Sequence, residues 1–160
     1  MTLPTEARDR YLAAFERAAD GEGRPAWLRR LRDEAKERFV ATGFPDVKNE
    51  DWKYTSVAGI VEQRFDPATR DDGGLSPSDV AGYLPGDASG NVLVFANGRY
   101  RADLSVRRPL PPGVHLGCLS EALSGEGGVL VPFFSRSPAN AFTDLNTMLM
   151  EDGVFLHIGK

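Results

Sequence analysis

The dipeptide Asn97-Gly98, set between Val92-Leu93-Val94-Phe95 and the segment that opens at Arg99, is the strongest local constraint on how this chain folds. Asn-Gly flanked by apolar, strand-forming residues signals a two-residue hairpin, because such a turn needs positive φ at both central positions. The spacing predicts an antiparallel hairpin whose return strand runs over 99–104. A β region therefore begins near residue 91, and the chain before it follows a different periodicity.

Residues 1–42 predict a helical pair. Pro4 suits a first helical turn with Thr2 or Thr5 as its cap, and Tyr11, Leu12, Phe15 and Ala19 recur at helical spacing until Asp20-Gly21-Glu22-Gly23 breaks it. The second helix opens near Pro25, carries Trp27, Leu28, Leu31, Ala35 and Phe39 on one stripe, and ends at Gly43. Arg29, Arg30, Arg32, Asp33, Glu34, Lys36, Glu37 and Arg38 make up the other side, read as a solvated face. On that face Glu34 and Arg38 form a favourable pair, and Asp33 and Glu37 a like-charge one.

Residues 43–65 read as an arm. Residues 43–55 are expected to be extended or turning: Pro45 restricts Phe44 to extended geometry, and a short strand or extended arm over Trp52-Lys53-Tyr54 would place both aromatics on one face. Residues 66–90 form a loop-rich linker with Pro67, Asp71-Asp72-Gly73-Gly74, Pro77 and Pro85-Gly86, interrupted by a short helix over 78–84 capped by Ser76 or Ser78. Residues 91–160 form a small α/β region. After the hairpin come an irregular link at Pro109, Pro111 and Pro112, a strand over 114–116 and a short helix over 120–123. A flexible loop over 124–128 leads to a helix opened by Ser137-Pro138, with Phe142, Leu145, Met148 and Leu149 on its stripe, and then to a final strand, Val154–Ile158. The fold class is α+β: a helical pair followed by a small mixed α/β domain with a β-hairpin.

Composition narrows the function classes. With 160 residues, 41% apolar and 26% charged, the chain has the make-up of a soluble globular protein able to bury a core. A net charge of −4 lacks the basic footprint of a binder of nucleic acid or anionic membrane. Cys118 is the single cysteine, which precludes an internal disulfide and suits a reducing compartment. Met1–Arg10 carries Glu6, Arg8, Asp9 and Arg10 without an apolar run, so no secretory signal is expected. The apolar stretches Val92–Ala96 and Val129–Phe134 are too short to span a bilayer, and the expected location is the cytoplasm.

No coherent catalytic set stands out, and the expectation is a chain that is not an enzyme. His115 and Cys118, three apart, are the one candidate pair of base and thiol, the basis of an alternative reading as a small cytoplasmic thiol or redox domain. A lone cysteine more often behaves as a small buried hydrophobe, and His157 reads as a packed or edge histidine. Together with His115 these residues cannot complete a four-ligand Cys/His zinc site. The loop over 124–128 lacks the Gly-Lys-Ser/Thr of a phosphate loop. Glu50, Asp51, Asp71 and Asp72 show no pairing suited to acid–base work or to a hard-oxygen metal cage. Lys53 between two aromatics is a weak sign of single-stranded nucleic-acid binding, and none is expected.

Four segments in order carry a resemblance. They are Gly43-Phe44-Pro45 with Lys48-Asn49-Glu50-Asp51-Trp52-Lys53-Tyr54-Thr55, then Val92–Tyr100. Leu110-Pro-Pro-Gly-Val114 with Leu119-Ser-Glu-Ala-Leu123 follows, and then Phe142-Thr-Asp-Leu-Asn146 with Asp152-Gly153-Val154. Together they resemble the start of SufD, of the SufB/SufD family in the SUF iron–sulfur cluster assembly system, and the Trp-Lys-Tyr-Thr element favours SufD over SufB. The resemblance implies a scaffold that pairs with a SufB-like paralogue and a SufC-like ABC ATPase through protein–protein contacts. It also implies that the chain is the family's N-terminal region only, with Val154–Ile158 as the first rung of a parallel β-helix. Gly43, Pro45, Glu50, Trp52, Lys53, Tyr54, Asn97, Gly98, Leu145, Asn146, Asp152 and Gly153 are then signature residues with structural or interaction roles. No residue of this chain matches a catalytic, cofactor or metal-binding position of the family. An iron–sulfur cluster is implied for the full assembly alone.

Overall fold

The computed structural model describes residues 5–19, 24–63, 65, 74–84, 86, 89–124, 130–134 and 140–159. Chain order is α1 (Thr5–Ala19), α2 (Ala26–Thr42), α3 (Ala58–Val61), α4 (Pro77–Ala81), β1 (Phe95–Ala96), β2 (Arg99–Tyr100), β3 (Val114–Cys118), α5 (Leu119–Ser124), α6 (Val131–Phe134), α7 (Ala141–Leu149) and β4 (Val154–Ile158). Short 3₁₀ turns occupy Glu50–Trp52 and Ala102–Leu104. The expected α+β class holds. Several expected features lie outside the described residues: the candidate cap Thr2 and the first-turn Pro4, the break at 20–23, Pro67, 71–73, Pro85, the loop over 125–128, Ser137-Pro138 and Lys160. The chain divides into two compact units, Met1–Pro67 with Gly127–Met150, and Ala68–Glu126 with Glu151–Lys160.

The first unit is helical. Leu28, Ala35 and Phe39 of α2 are buried along one helical stripe, and Ala35 and Phe39 close against Phe15 of α1 and Ala141 and Met148 of α7. Tyr11, Leu12, Phe44, Leu145 and Leu149 surround that core, and a second cluster joins Ala7, Val57 and Val61 with Phe44, Trp52 and Phe142. Gly43 ends α2 in the left-handed region at φ 62, its N–H donating to the Phe39 carbonyl at 2.8 Å. That turn swings Phe44 back between Tyr11 and Phe39, with ring centroids at 5.5 and 5.2 Å.

Three expectations for this unit need correction. Arg32 is not on a solvated face: it is 2% exposed, and its Nε donates to the Met148 carbonyl at 2.7 Å. It lies four residues after Leu28 and three before Ala35, inside the buried stripe. A guanidinium is tolerated there because the last carbonyls of α7 have no partner within their own helix. Glu34 pairs with Arg30 at 2.8 Å, not with Arg38, because Arg38 turns to Asp144 of α7. The helix expected to open at Ser137-Pro138 begins at Ala141, where Asn140 accepts from the N–H groups of Phe142 and Thr143 at 3.0 and 2.9 Å. The one-turn helix α6 was not anticipated, since an apolar run interrupted by Pro132 has no readable period.

The second unit is built on two antiparallel pairs. In the hairpin Phe95 faces Tyr100 and Ala96 faces Arg99, with Asn97 at φ 50 and Gly98 at φ 76 in the turn. The return strand is shorter than expected, because Ala102–Leu104 curls into a 3₁₀ turn. Ser105 takes over the pairing there: its hydroxyl donates to the Arg101 carbonyl at 2.6 Å and accepts the Val94 N–H at 2.8 Å. Val92 and Val106 resume the pairing beyond it. β3 runs to Cys118, longer than expected, because all five of its residues pair with β4, from Val114↔Ile158 to Cys118↔Val154. α4 starts at Pro77 behind the cap Ser76 and stops at Ala81, ahead of Gly82.

Candidate functional site

The signature segment 43–55 is tied to α7. Asp46 and Asn49 bend it: the Asp46 carboxylate accepts from the Lys48 N–H at 2.8 Å, and the Asn49 side chain accepts from the Asp46 N–H at 3.0 Å. These turns feed the 3₁₀ segment Glu50–Trp52, so of the extended and turning forms expected from sequence the turning one is found. With about three residues per turn, positions two apart point to different sides. Trp52 and Tyr54 accordingly separate. The Trp52 ring packs at 5.3 Å from Phe142, whereas Tyr54 is 92% exposed. Lys53 lies 5.6 Å from the Tyr54 ring and 3.8 Å from the Glu50 carboxylate. Pro45 is buried behind Gly43, Leu145 packs against the helical core, and Asn146 beside it on α7 is exposed. The first unit thus presents Glu50, Lys53 and Tyr54 outward on a base held by Phe44, Trp52 and Phe142.

Asp152 organises the second unit. Its Oδ2 accepts from the Tyr100 N–H at 3.0 Å, and its Oδ1 accepts from Ser120 and Gly153 at 3.0 and 2.8 Å. One carboxylate therefore joins the return strand of the Asn97-Gly98 hairpin, the first turn of α5 and the entry to β4. The Gly153 carbonyl adds a bond from the Leu119 N–H at 2.7 Å, and the neighbouring Glu151 forms an ion pair with Arg99. Anionic charge at the start of α5 also meets that helix's unpaired N–H groups favourably. Asp152 is a clasp whose lone pairs are directed at backbone donors.

The thiol–base reading is overturned by register. His115 and Cys118 both lie on β3, and residues an odd number apart on a strand point to opposite faces. Cys118 is 3% exposed with its Sγ 3.3 Å from the Ser120 hydroxyl, while His115 faces outward. Across the ladder His115 meets His157, their ring centroids 6.0 Å apart. On the other face of β4, Val154, Leu156 and Ile158 remain 60%, 57% and 68% exposed. Among the described residues, no group of three or more His, Cys, Asp or Glu side chains converges to hold a metal ion.

Sequence reasoning passed over Asp144 and assigned Arg38 to Glu34 instead. Asp144 is 3% exposed and bonded to Arg38 at 2.8 Å. Its signal was present, since it lies three after Ala141 and four before Met148, on the buried stripe of α7. Elsewhere, hydrogen bonds from the Ser76 hydroxyl and N–H hold the Asp79 carboxyl below its usual range, and Arg101 does the same for Asp103. No helix among the described residues is long and apolar enough to cross a membrane. No curated protein matches the chain. A family model described as the SufBD protein N-terminal region matches residues 5–160.

Proposed function

The chain belongs to the SufBD N-terminal-region family of the SUF iron–sulfur cluster assembly system, and from that premise we propose that it serves a SufD-like scaffold component. The observation that carries the reading is the family match across residues 5–160. Within it, the element Trp52-Lys53-Tyr54-Thr55 favours the SufD branch. In this reading the chain acts in the cytoplasm through protein contacts with a SufB-like paralogue and a SufC-like ABC ATPase. The iron–sulfur cluster is the assembly's cargo, and this region supplies none of its ligands. The exposed Tyr54 suits such contacts, since aromatic residues are enriched in interface cores, and Glu50 and Lys53 beside it suit a polar rim.

The test is genetic. In source cells lacking the gene that encodes this chain, iron–sulfur enzymes are expected to accumulate as polypeptide with depleted clusters, and restoring the gene is expected to refill them. Unchanged cluster content in iron-limited cells lacking the gene overturns the proposal.

A further inference from the structure

We propose that His115 and His157 form a two-imidazole site for one borderline divalent metal ion, of the nickel, copper or zinc type, on one face of the β3–β4 ladder. The inference rests on register and does not depend on the family reading. The two histidines are direct cross-strand partners, flanked on both sides by further paired residues, so their backbones are fixed relative to each other. Directly opposed side chains on such a ladder start about 4.5–5.5 Å apart at Cβ. Two imidazoles bound through nitrogen to one ion at about 2.0–2.1 Å place their ring centres roughly 5–6 Å apart. Here the centroids are 6.0 Å apart with planes inclined by 29°, so side-chain rotation without backbone movement brings two nitrogens onto one ion.

The surroundings agree with a two-point site open to solvent. His115 is exposed, which gives an ion access, and His157 is steadied by Phe155, whose ring stacks on it at 6.4 Å and 11°. On the next rung the partner of Phe155 is Gly117. The space above that glycine holds the Glu121 carboxylate and the Arg107 guanidinium, each 3.6 Å from where a Cβ would stand. These opposite charges offset each other beside the pair, leaving the imidazoles as the protein ligands and water for the remaining positions. Imidazole is a preferred donor for zinc, copper and nickel, and affinity peaks at Cu²⁺ in the divalent series.

The test is a Cu²⁺ titration of the full chain, read by calorimetry and by the nitrogen hyperfine pattern in electron paramagnetic resonance. The expected result is one ion per chain with two imidazole nitrogens. His115→Asn and His157→Asn are each expected to weaken binding at least tenfold and to leave a one-nitrogen pattern, with circular dichroism reporting that the variants fold. Nuclear magnetic resonance of the unaltered protein needs no variant: Ni²⁺ is expected to broaden signals of β3 and β4 first. Absence of stoichiometric Cu²⁺ binding, full affinity in either variant, or broadening centred elsewhere overturns the proposal.

Discussion

Arg38 and Asp144 meet where α2 packs on α7, Nε to Oδ1 at 2.8 Å, and the two ends of that bond differ in environment: the Asp144 side chain is 4% exposed and the Arg38 side chain 42%. The pair joins residues 106 apart in sequence, so it forms only when the helical core closes. The asymmetry sets an order for its two deletions. Arg38→Ala strands a buried carboxylate, whereas Asp144→Ala leaves a guanidinium that reaches water. Expected losses are about 3 kcal/mol for the first and about 1–2 kcal/mol for the second, measured by urea unfolding. The reverse order would contradict the account of this contact.

Trp52 and Tyr54, two residues apart, are expected to respond very unequally to truncation. Trp52→Ala removes a half-buried ring from Phe142 and its cluster and should cost about 2–3 kcal/mol. Tyr54→Ala removes a side chain that is 92% exposed and should change stability by less than about 0.5 kcal/mol. Thermal melts of both variants check this, and equal shifts would mean that the 3₁₀ turn does not separate the two rings as described.

Asp152→Ala releases three backbone donors at once and is expected to destabilise the second unit by about 3 kcal/mol. Asp152→Asn is expected to fall between Ala and the native residue. Its oxygen still serves Ser120 and Gly153, while its amide faces the Tyr100 N–H donor to donor. Hydrogen exchange at the Tyr100 amide reads the difference: faster exchange in both variants, and protection equal to the native protein's would remove the clasp from the account.

The Asp79 carboxyl is held below its ordinary value, first by the Ser76 hydroxyl and then by the Ser76 N–H. A carboxyl depressed in the folded state binds fewer protons there than in the unfolded chain. Its contribution is therefore present above the ordinary value of about 3.9 and is lost as pH falls through the depressed folded value. Side-chain carbon resonances of Asp79, followed against pH, should show a midpoint below that of an ordinary aspartate. Ser76→Ala should move the midpoint upward, and an unmoved midpoint would contradict the assignment.

How much of this was legible in the sequence depended on the range of the forces involved. The Leu28, Ala35 and Phe39 stripe, the end of α2 at Gly43 and the Asn97-Gly98 turn are set by residues within a turn or two of one another, and all appear as expected. Arg32 and Asp144 were missed because what makes burial tolerable for each lies on another helix, more than 100 residues away. Trp52 and Tyr54 were misplaced because Asp46 and Asn49 bend the chain by side-chain bonds that compete with the alternation of the aromatics. The failure of His115 and Cys118 to form a pair follows from one fact, that both lie within a single strand. Once β3 reaches Cys118, their odd spacing separates them.

The central claim is that this region works through contacts with SUF partners. It is tested most directly by purifying the tagged full-length protein from its source cells and identifying what accompanies it by quantitative mass spectrometry. The account predicts a SufB-like paralogue and a SufC-like ATPase in near-stoichiometric amounts, reduced several-fold by Tyr54→Ala at unchanged stability. Recovery of the folded protein with neither partner would contradict it.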